Sequence, residues 1–247
     1  MQDTHWLQRT RLLIGAEPLN NLHSKHVLCV GLGGVGSFAA EFVARAGIGK
    51  MTIIDGDVVD PTNRNRQLPA LASTHNLSKA ELMATRLRDI NPEIELVVIN
   101  EFMEPDAMIA LMETPFDYVM DCIDSITPKL LLIESALKKG YPLVSSMGAG
   151  GKMDPTMIEV ADISKSYNCN MARYVRKRLH RVNIRKGFKA VFSTEQAHDA
   201  SLMLTDGTNF KRSAYGTISY LPAAFGGAVA SVVIRDLVDW EGIKKGK

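Results

Sequence analysis

The stretch His26–Gly47, HVLCVGLGGVGSFAAEFVARAG, joins a short apolar run, a glycine-rich turn and a helical pattern. The run HVLCV predicts a buried strand, and the apolar residues after the turn recur at helical spacing. The turn satisfies G-x-G-x-x-G, in which glycines permit a tight bend and a close approach of backbone to phosphate. The stretch therefore predicts a phosphate-binding loop at a helix N-terminus, formed by Gly31, Gly33, Gly34 and Gly36.

Around this loop, apolar β-branched runs alternate with helical patterns through the first 147 residues, which is typical of βαβ units. Strands are predicted at 26–30, 51–54, 94–100, 116–121 and 142–146, and crossover helices at 79–90 and 127–139. After residue 150 we expect short strands at 157–160 and 188–193, a basic helix at 171–182, a loop at 205–215 and a final helix. The prediction is an α/β, Rossmann-like nucleotide-binding fold with a mainly parallel sheet flanked by helices and extended by antiparallel strands.

No linker composition divides the 247 residues, so we expect one domain, with a nucleotide-binding core at about 5–150 and an extension at 151–247. The formal net charge of +2 does not by itself indicate a nucleic-acid partner. The N-terminus has no signal-peptide pattern, and residues 221–234 read as a buried or interface helix rather than a membrane-surface helix. The sequence thus predicts no integral membrane segment.

Three cysteines lie far apart, with no C-x-x-C pair, which argues against a disulfide framework and against a zinc site. A reducing cytoplasm is the simplest setting. Cys29 reads as core and Cys122 as packing, whereas Cys169, in the polar stretch SYNCNMARY, is the plausible exposed thiol.

Polar residues follow the second strand at the sheet edge that also carries the glycine loop. Asp55, with Asp57 close by, lies where an acid binds ribose hydroxyls, and on that evidence alone an NAD-dependent oxidoreductase would lead. Asn63, Arg66 and Gln67 then emerge at the same edge, where arginine forks suit phosphate oxygens. A nicotinamide enzyme has no clear use for these side chains, so the residues favour a nucleoside triphosphate as the ligand.

Two further positions fit a triphosphate. Lys79 can add a point charge, although it also reads as a solvated surface lysine. Asp121 and Asp124 end the fourth strand, and a carboxylate there can hold Mg²⁺, unless Asp124 caps the following helix. The whole set suits attack of a carboxylate on the α-phosphate of ATP.

These residues are recognisable. GLGGVG, IIDGDVVDPTNRNRQ, SKAE and DCIDS resemble the adenylating fold of the MoeB, ThiF and ubiquitin-activating enzymes over roughly residues 5–150. SSMGAGGKMDPT, MARYVRKRLHR and VFSTE are similar to the tRNA threonylcarbamoyladenosine dehydratases, over nearly the whole length. The resemblance implies a homodimer that uses ATP and Mg²⁺ to activate the threonine carboxylate of threonylcarbamoyladenosine in tRNA, followed by ring closure with loss of AMP.

The resemblance also implies roles for single residues. Ribose contact falls to Asp55, phosphate contact to Asn63, Arg66, Gln67 and Lys79, and magnesium to Asp124. Arg9 matches an arginine that reaches the partner subunit's ATP site, with Arg11 as its competitor and a plain surface arginine as the alternative. Arg66, Asp124 and Arg9 would then be the catalytic set.

The segment from Arg173 to Lys189 holds eight basic residues and no acid. A solvated face is the simplest explanation, but so one-sided a run favours phosphate contacts with tRNA. The predicted tRNA-binding residues are Arg173, Arg176, Lys177, Arg178, Arg181, Arg185 and Lys186.

Some features differ from relatives of these enzymes. The missing C-x-x-C pairs make activation of a ubiquitin-like or sulfur-carrier protein the less favoured alternative, and a sulfur-transfer or acceptor protein remains a possible partner. Some dehydratases carry a cysteine where this chain has Lys189-Ala190, so a thioester cysteine is excluded there. His180 and His198 are candidates for a ring-closing base, and a nucleotide-binding scaffold is the non-enzymatic alternative.

Overall fold

The structure, a computed structural model, describes residues 5–204 and 213–240. Its seven-stranded sheet comprises β1 (His26–Val30), β2 (Lys50–Ile54), β3 (Glu95–Ile99), β4 (Tyr118–Asp121), β5 (Leu143–Ser146), β6 (Ile158–Asp162) and β7 (Lys189–Ser193). The strand order is β3-β2-β1-β4-β5-β7-β6. All pairings are parallel except that between β6 and β7. The chain order reverses between β1 and β4, which is where ligands bind in open α/β sheets.

Helices cover both faces of this sheet. They are α1 (Gln8–Ile14), α2 (Ala16–His23), α3 (Gly36–Arg45), α4 (Lys79–Ile90), α5 (Pro105–Leu111), α6 (Ile126–Lys139), α7 (Asn170–Leu179) and α8 (Tyr220–Leu237). One buried core lies between the sheet and α3, α4 and α8, and a second lies between the sheet and α5, α6 and α7. Covered on both faces, the central strands consist almost entirely of buried residues.

The C-terminal helix α8 packs against α3 and against strands β4, β5 and β7. The contact with α3 is close because Gly226 has no side chain: a Cβ there would lie 2.6 Å from the carbonyl oxygen of Val35. By length and composition alone, α8 is the one helix of the described chain that could cross a membrane. Its buried residues include Leu221, Phe225 and Val229, so it has the position of a core helix.

The predicted fold class is confirmed, and predicted element ends lie within two residues of the observed ones, except for the C-terminal ends of the final helix, which runs to Leu237 rather than to residue 234, and of the basic helix. That helix ends at Leu179 and continues as a 3-10 turn, His180–Val182. Helices α1, α2 and α5 were not predicted. The expected loop at 205–215 is wrong at its end, because β9 (Ser213–Tyr215) pairs with β8 (Leu202–Leu204), whereas residues 205–212 lie outside the described part.

Candidate active site

A cavity of about 410 Å³ lies at the carboxyl ends of the parallel strands. Its walls come from the glycine loop, the turn after β2, the segment before α5, the β4–α6 turn and the turn after β5. The cavity therefore sits at the point where the strand order reverses between β1 and β4. Its volume is that of a small-molecule site.

The glycine loop forms the floor of this cavity. Gly31, Gly33 and Gly34 line it, whereas Gly36 does not. Gly31 has φ +90°, and a Cβ at Gly36 would lie 1.7 Å from the carbonyl oxygen of Gly31. The turn therefore excludes side chains at both positions. It leads directly into α3, whose N-terminal N–H groups and dipole favour an anion.

Asp55 joins the glycine loop to the turn after β2. One carboxylate oxygen accepts a hydrogen bond from the backbone N–H of Leu32 over 2.6 Å, and the other accepts one from the N–H of Asp57 over 2.8 Å. Burial raises the pKa of Asp55 above its usual value, even though Lys79 and these N–H groups oppose the shift. The carboxylate has lone pairs left for ribose hydroxyls and lines the cavity, as a ribose-binding acid must.

Lys79, the first residue of α4, pairs with Asp57. Its Nζ lies 2.9 Å from Asp57 Oδ2, and its side chain is 5% exposed. The alternative that Lys79 is a solvated surface lysine is therefore wrong. Both residues line the cavity, so this ammonium group can meet an anion there.

The loop after β2 presents Arg66 but not Asn63 to the cavity. Asn63 is buried, and its Oδ1 accepts a hydrogen bond from the N–H of Asp60 over 3.2 Å, so it closes its own 3-10 turn. Arg66 lines the cavity while its Nη1 donates to the Thr62 carbonyl over 3.0 Å and to Asn65 Oδ1 over 2.8 Å. The structure thus gives Asn63 a supporting place in the loop, in contrast to the direct phosphate contact that we expected.

Gln67 lines the cavity beside the glycine loop, and a Cβ at Gly33 would lie 3.6 Å from its Nε2. Its Oε1 is the one buried side-chain oxygen or nitrogen without a hydrogen-bond partner in the described part of the chain. Unpartnered buried polar atoms are costly and uncommon. This position is consistent with a side chain that is completed by a bound ligand.

The two aspartates after β4 have different environments. Asp121 is fully buried and accepts hydrogen bonds from Lys129 Nζ over 2.7 Å and from the Ser145 hydroxyl. Asp124 is exposed and lines the cavity. The N-cap residue of α6 is Ser125, so Asp124 does not occupy the capping position. Only Asp124 of this pair is placed to meet a ligand.

The segment before and within α5 completes the wall near Asp55. Phe102, Met103 and Met108 line the cavity, and none was predicted as a site residue. The signal was present in EPDAMIAL, where a proline follows an N-cap position and apolar residues recur at helical spacing. Tyr215 and Met171, which also line the cavity, were missed as well.

The basic helix α7 carries most of its cations on the surface. Among the seven predicted tRNA contacts the exposed residues are Arg173, Lys177, Arg178, Arg181, Arg185 and Lys186. Arg176 differs, because its Nη1 donates to the carbonyl of Ser166 over 2.8 Å and also to the Ser166 hydroxyl. The structure therefore gives Arg176 an anchoring contact at the base of the helix.

Three other residues considered from the sequence do not line the cavity. Cys169 is 6% exposed, so the expectation of an exposed thiol is wrong. It packs with Ile163 and Ala172 beneath α7 despite its polar neighbours in sequence. His180 and His198 are exposed and do not line the cavity, so neither occupies the position of a ring-closing base.

Arg9 and Arg11 are exposed on α1, and neither lines the cavity of its own chain. Leu12 and Leu13, on the same helix, are 77% and 69% exposed. The described helix α1 has no buried residue at all. It is thus an apolar, basic surface element.

A Rossmann-like sheet, a glycine loop at a helix N-terminus, and acidic and basic groups at the same edge together define a nucleotide-binding α/β protein. The model of the ThiF family matches residues 7–246. The chain is 44% identical over 191 residues to the tRNA threonylcarbamoyladenosine dehydratase of Bacillus subtilis (strain 168), covering 77% of this chain and 75% of that protein. The corresponding Escherichia coli (strain K12) protein is 43% identical over 200 residues, with the same coverage.

The structure matches that of the E. coli tRNA N6-threonylcarbamoyladenosine dehydratase in complex with ATP with a TM-score of 0.86 and 37% identity, over 97% of both chains. The chain therefore belongs to the ThiF family and, within it, to the tRNA threonylcarbamoyladenosine dehydratases. The resemblance noted from sequence motifs is confirmed.

Proposed function

We propose that this protein is an ATP-dependent dehydratase that converts threonylcarbamoyladenosine in tRNA to its cyclic form. The observation that carries this function is a nucleotide cavity that opens beside a helix of exposed cations. The chain is similar to a tRNA threonylcarbamoyladenosine dehydratase over three quarters of its length. The solved relative with ATP supports the choice of nucleotide.

The chemistry takes two steps. An oxygen of the threonine carboxylate attacks the α-phosphorus of ATP, and pyrophosphate leaves. A neighbouring group of the same substrate then attacks the acyl carbon, and AMP leaves with the oxygen, so that the substrate loses one water overall. Both steps gain chiefly from holding reactants together and from stabilising charge on phosphate oxygens.

The residues of the cavity divide between these tasks. Asp55 binds ribose, because its carboxylate lies at the end of β2 beside the glycine loop. Arg66, Gln67 and Lys79 contact the phosphates, with Asp57 holding Lys79 in place. Asn63 holds the shape of the loop after β2 that carries Arg66, here called the arginine loop. Phe102 and Met103 offer an apolar surface to the adenine.

Asp124 is the residue that would hold Mg²⁺. In the described ranges no group of three or more His, Cys, Asp or Glu side chains could hold a metal ion. Mg²⁺ usually takes one or two protein carboxylates and completes its shell with water and nucleotide phosphates, a role that one exposed aspartate in the cavity can fill. When bound, the ion would neutralise charge on the departing pyrophosphate.

The exposed cations of α7 and the turn after it supply the tRNA contact. Arg173 and Lys177 recur at four-residue spacing on α7, which places them along one flank, and Arg181 lies in the 3-10 turn that follows. Such a flank follows phosphates and gives binding that depends on salt but little on sequence. Arg176 holds the start of this surface against Ser166.

We further propose a homodimer in which α1 lies in the interface and Arg9, or Arg11, reaches the partner's ATP site. The exposed Leu12 and Leu13 beside these arginines support it, because apolar surface of this kind is covered in stable interfaces. The free thiols of all three cysteines suit a reducing cytoplasm.

The test is direct. The purified protein is incubated with ATP, Mg²⁺ and tRNA that contains threonylcarbamoyladenosine, and the nucleosides are analysed by mass spectrometry under mild conditions. We expect loss of one water from that nucleoside, with one pyrophosphate released per turnover. An ATP analogue with a methylene group between the α- and β-phosphorus atoms should abolish the reaction. Asp106→Asn, an exposed change on α5 outside the cavity, is the control for Asp124→Asn.

An unchanged nucleoside would contradict the proposal. If ATP then exchanged with pyrophosphate only when a small carrier protein was added, the less favoured activity as a carrier-protein activator would replace it. A reaction that proceeds with the purified chain alone would also show that no sulfur-transfer or acceptor protein is needed.

A further inference from the structure

The cavity extends beyond the phosphate-binding residues to a second wall that the nucleotide contacts leave unused. This wall is built from the turn after β5, the start of α7 and the residues at the end of β9, namely Ser146, Gly148, Gly150, Met171, Tyr215 and Thr217. We infer that it receives the modified adenine of the substrate nucleoside, with the Tyr215 ring stacked on the base. The inference rests on the proposed function and names a substrate contact within it.

Tyr215 is held against bare backbone. A Cβ at Gly150 would lie 2.8 Å from Tyr215 Cβ, and one at Gly151 would lie 2.9 Å from Tyr215 Cδ1. The Gly151 N–H donates to the carbonyl of Gly216 over 2.8 Å. The ring therefore packs on the turn formed by Gly150 and Gly151, here called the glycine turn, and still lines the cavity. A flat aromatic surface fixed in this way is suited to stacking on a base.

A polar group accompanies the ring. Asn170 Nδ2 lies 3.4 Å from the Tyr215 hydroxyl, at the first residue of α7. Its side-chain amide offers both a donor and an acceptor, the pair of groups that can recognise the edge of an adenine. Asn170 does not itself line the cavity, so the aromatic face in the cavity has an exposed amide beside its hydroxyl.

The charge around this wall indicates how a base would arrive there. From Asn170, α7 runs on to the exposed Arg173 and Lys177. An RNA strand whose phosphates follow these cations has its bases close to the start of the helix, where Tyr215 stands. Sequence-specific contacts with RNA are made mostly to unpaired bases that are turned out and stacked on aromatic side chains.

The stacking role is tested with Tyr215→Ala, Tyr215→Leu and Tyr215→Phe. The probes are tRNA that contains threonylcarbamoyladenosine and the isolated threonylcarbamoyladenosine nucleoside. We expect Ala and Leu to raise KM for both probes about 5- to 150-fold, the contribution of one stacked base. Tyr215→Phe should leave both KM values close to those of the unchanged protein. In every variant KM for ATP should change less than about twofold, because Tyr215 contacts the nucleoside and not ATP; a tenfold change would correspond to about 1.4 kcal/mol.

Tyr167→Ala is the matched control, because Tyr167 is a half-exposed tyrosine that packs on Phe192 outside the cavity. It should leave both KM values unchanged. Tyr215→Leu keeps apolar contact with the glycine turn, so it replaces Tyr215→Ala in the test if Tyr215→Ala unfolds the protein. Folded Ala or Leu variants with unchanged KM for the nucleoside would overturn the inference, as would a rise confined to ATP. Failure of the unchanged protein to dehydrate tRNA would instead refute the proposed function.

Discussion

Asn65 bridges Arg66 and Thr217. Its Nδ2 donates to the carbonyl oxygen of Thr217 over 2.8 Å, and its Oδ1 accepts from Arg66 Nη1 over 2.8 Å. The arginine loop is thereby joined to the segment that carries Tyr215, although the two bonded residues lie 152 positions apart in sequence. One amide side chain therefore links the loop that carries Arg66 to the second wall of the cavity.

We predict that Asn65→Ala lowers kcat/KM for tRNA about 2- to 10-fold, the worth of one ordinary hydrogen bond. Asn65→Asp keeps the acceptor for Arg66 and loses the donor to Thr217. This variant therefore tests the contact with Thr217 separately from the contact with Arg66. If the hydrogen bond from Asn65 to Thr217 positions the second wall, Asn65→Asp should raise KM for tRNA and leave KM for ATP nearly unchanged. Steady-state kinetics on both substrates decide the matter, and an effect on ATP alone would contradict the bridge.

Charge reversal on α7 should weaken tRNA binding in a salt-dependent way. Arg173→Glu with Lys177→Glu removes two cations from one flank, and we expect the slope of log K against log salt to become shallower by about 1 to 2. Lys138→Glu, an exposed lysine on α6, is the control of equal charge change per site. Filter binding over a range of salt concentrations measures the slope. Equal slopes for all variants would exclude α7 as the tRNA contact.

Mixing two inactive variants tests whether an arginine acts in the partner's site. Arg9→Ala and Asp124→Ala, each alone, should have little activity. After exchange of subunits, half of the dimers are mixed, and each mixed dimer has one intact site, so about one quarter of full activity should return. Arg11→Ala in place of Arg9→Ala shows which arginine is responsible. No recovery with either arginine, in dimers shown to have exchanged, would contradict the crossed arrangement.

The buried pair of Lys129 and Asp121 should matter for stability. Lys129 Nζ also donates to the carbonyl of Ser146, over 2.9 Å, so this ammonium group ties β4, β5 and α6 together. Lys129→Met leaves a fully buried carboxylate without its partner, and we expect a loss of about 3–5 kcal/mol. Lys129→Met with Asp121→Asn should recover part of that loss in urea unfolding. A double variant no more stable than Lys129→Met would contradict the charge-based explanation.

Glu41 gives a prediction for the pH dependence of stability. Burial raises the pKa of its carboxyl, but hydrogen bonds and charges from Arg86 and Arg45 outweigh burial and hold the pKa below its usual value. The folded state therefore favours the ionised carboxylate. That contribution is complete above the usual pKa of about 4.3 and is lost as the pH falls through the lower folded pKa.

Glu41→Gln should therefore unfold more easily than the unchanged protein at neutral pH, by on the order of 1 kcal/mol. The gap should narrow below about pH 4, where the unchanged protein also loses the charge. Melting temperatures recorded at a series of pH values test this. A gap that stays constant into acid would mean that packing, not charge, carries the effect.

The features that could be predicted are those set by local patterns. The glycine loop is specified by adjacent residues, and strand and helix alternation follows from apolar spacing. The places where prediction failed depend on tertiary contacts. Cys169 has polar neighbours in sequence but faces the core under α7, and Arg176 looks like its basic neighbours until Ser166 is placed beside it. Tyr215 lines the cavity at the end of β9, although it lies far from the glycine loop in sequence.

The packing of α8 on the glycine loop constrains the order in which the site can form. A Cβ at Gly34 would lie 3.0 Å from Pro222 Cβ, and Gly226 lies against the start of α3, so the last helix supports the phosphate loop from behind. A ribosome delivers residues 26–47 long before residues 220–237, and the tunnel holds back the most recent part of the chain. The nascent protein thus carries its nucleotide loop without this support until residues 220–237 have left the tunnel. Newly made chains should acquire affinity for ATP only after α8 has emerged and packed on the loop.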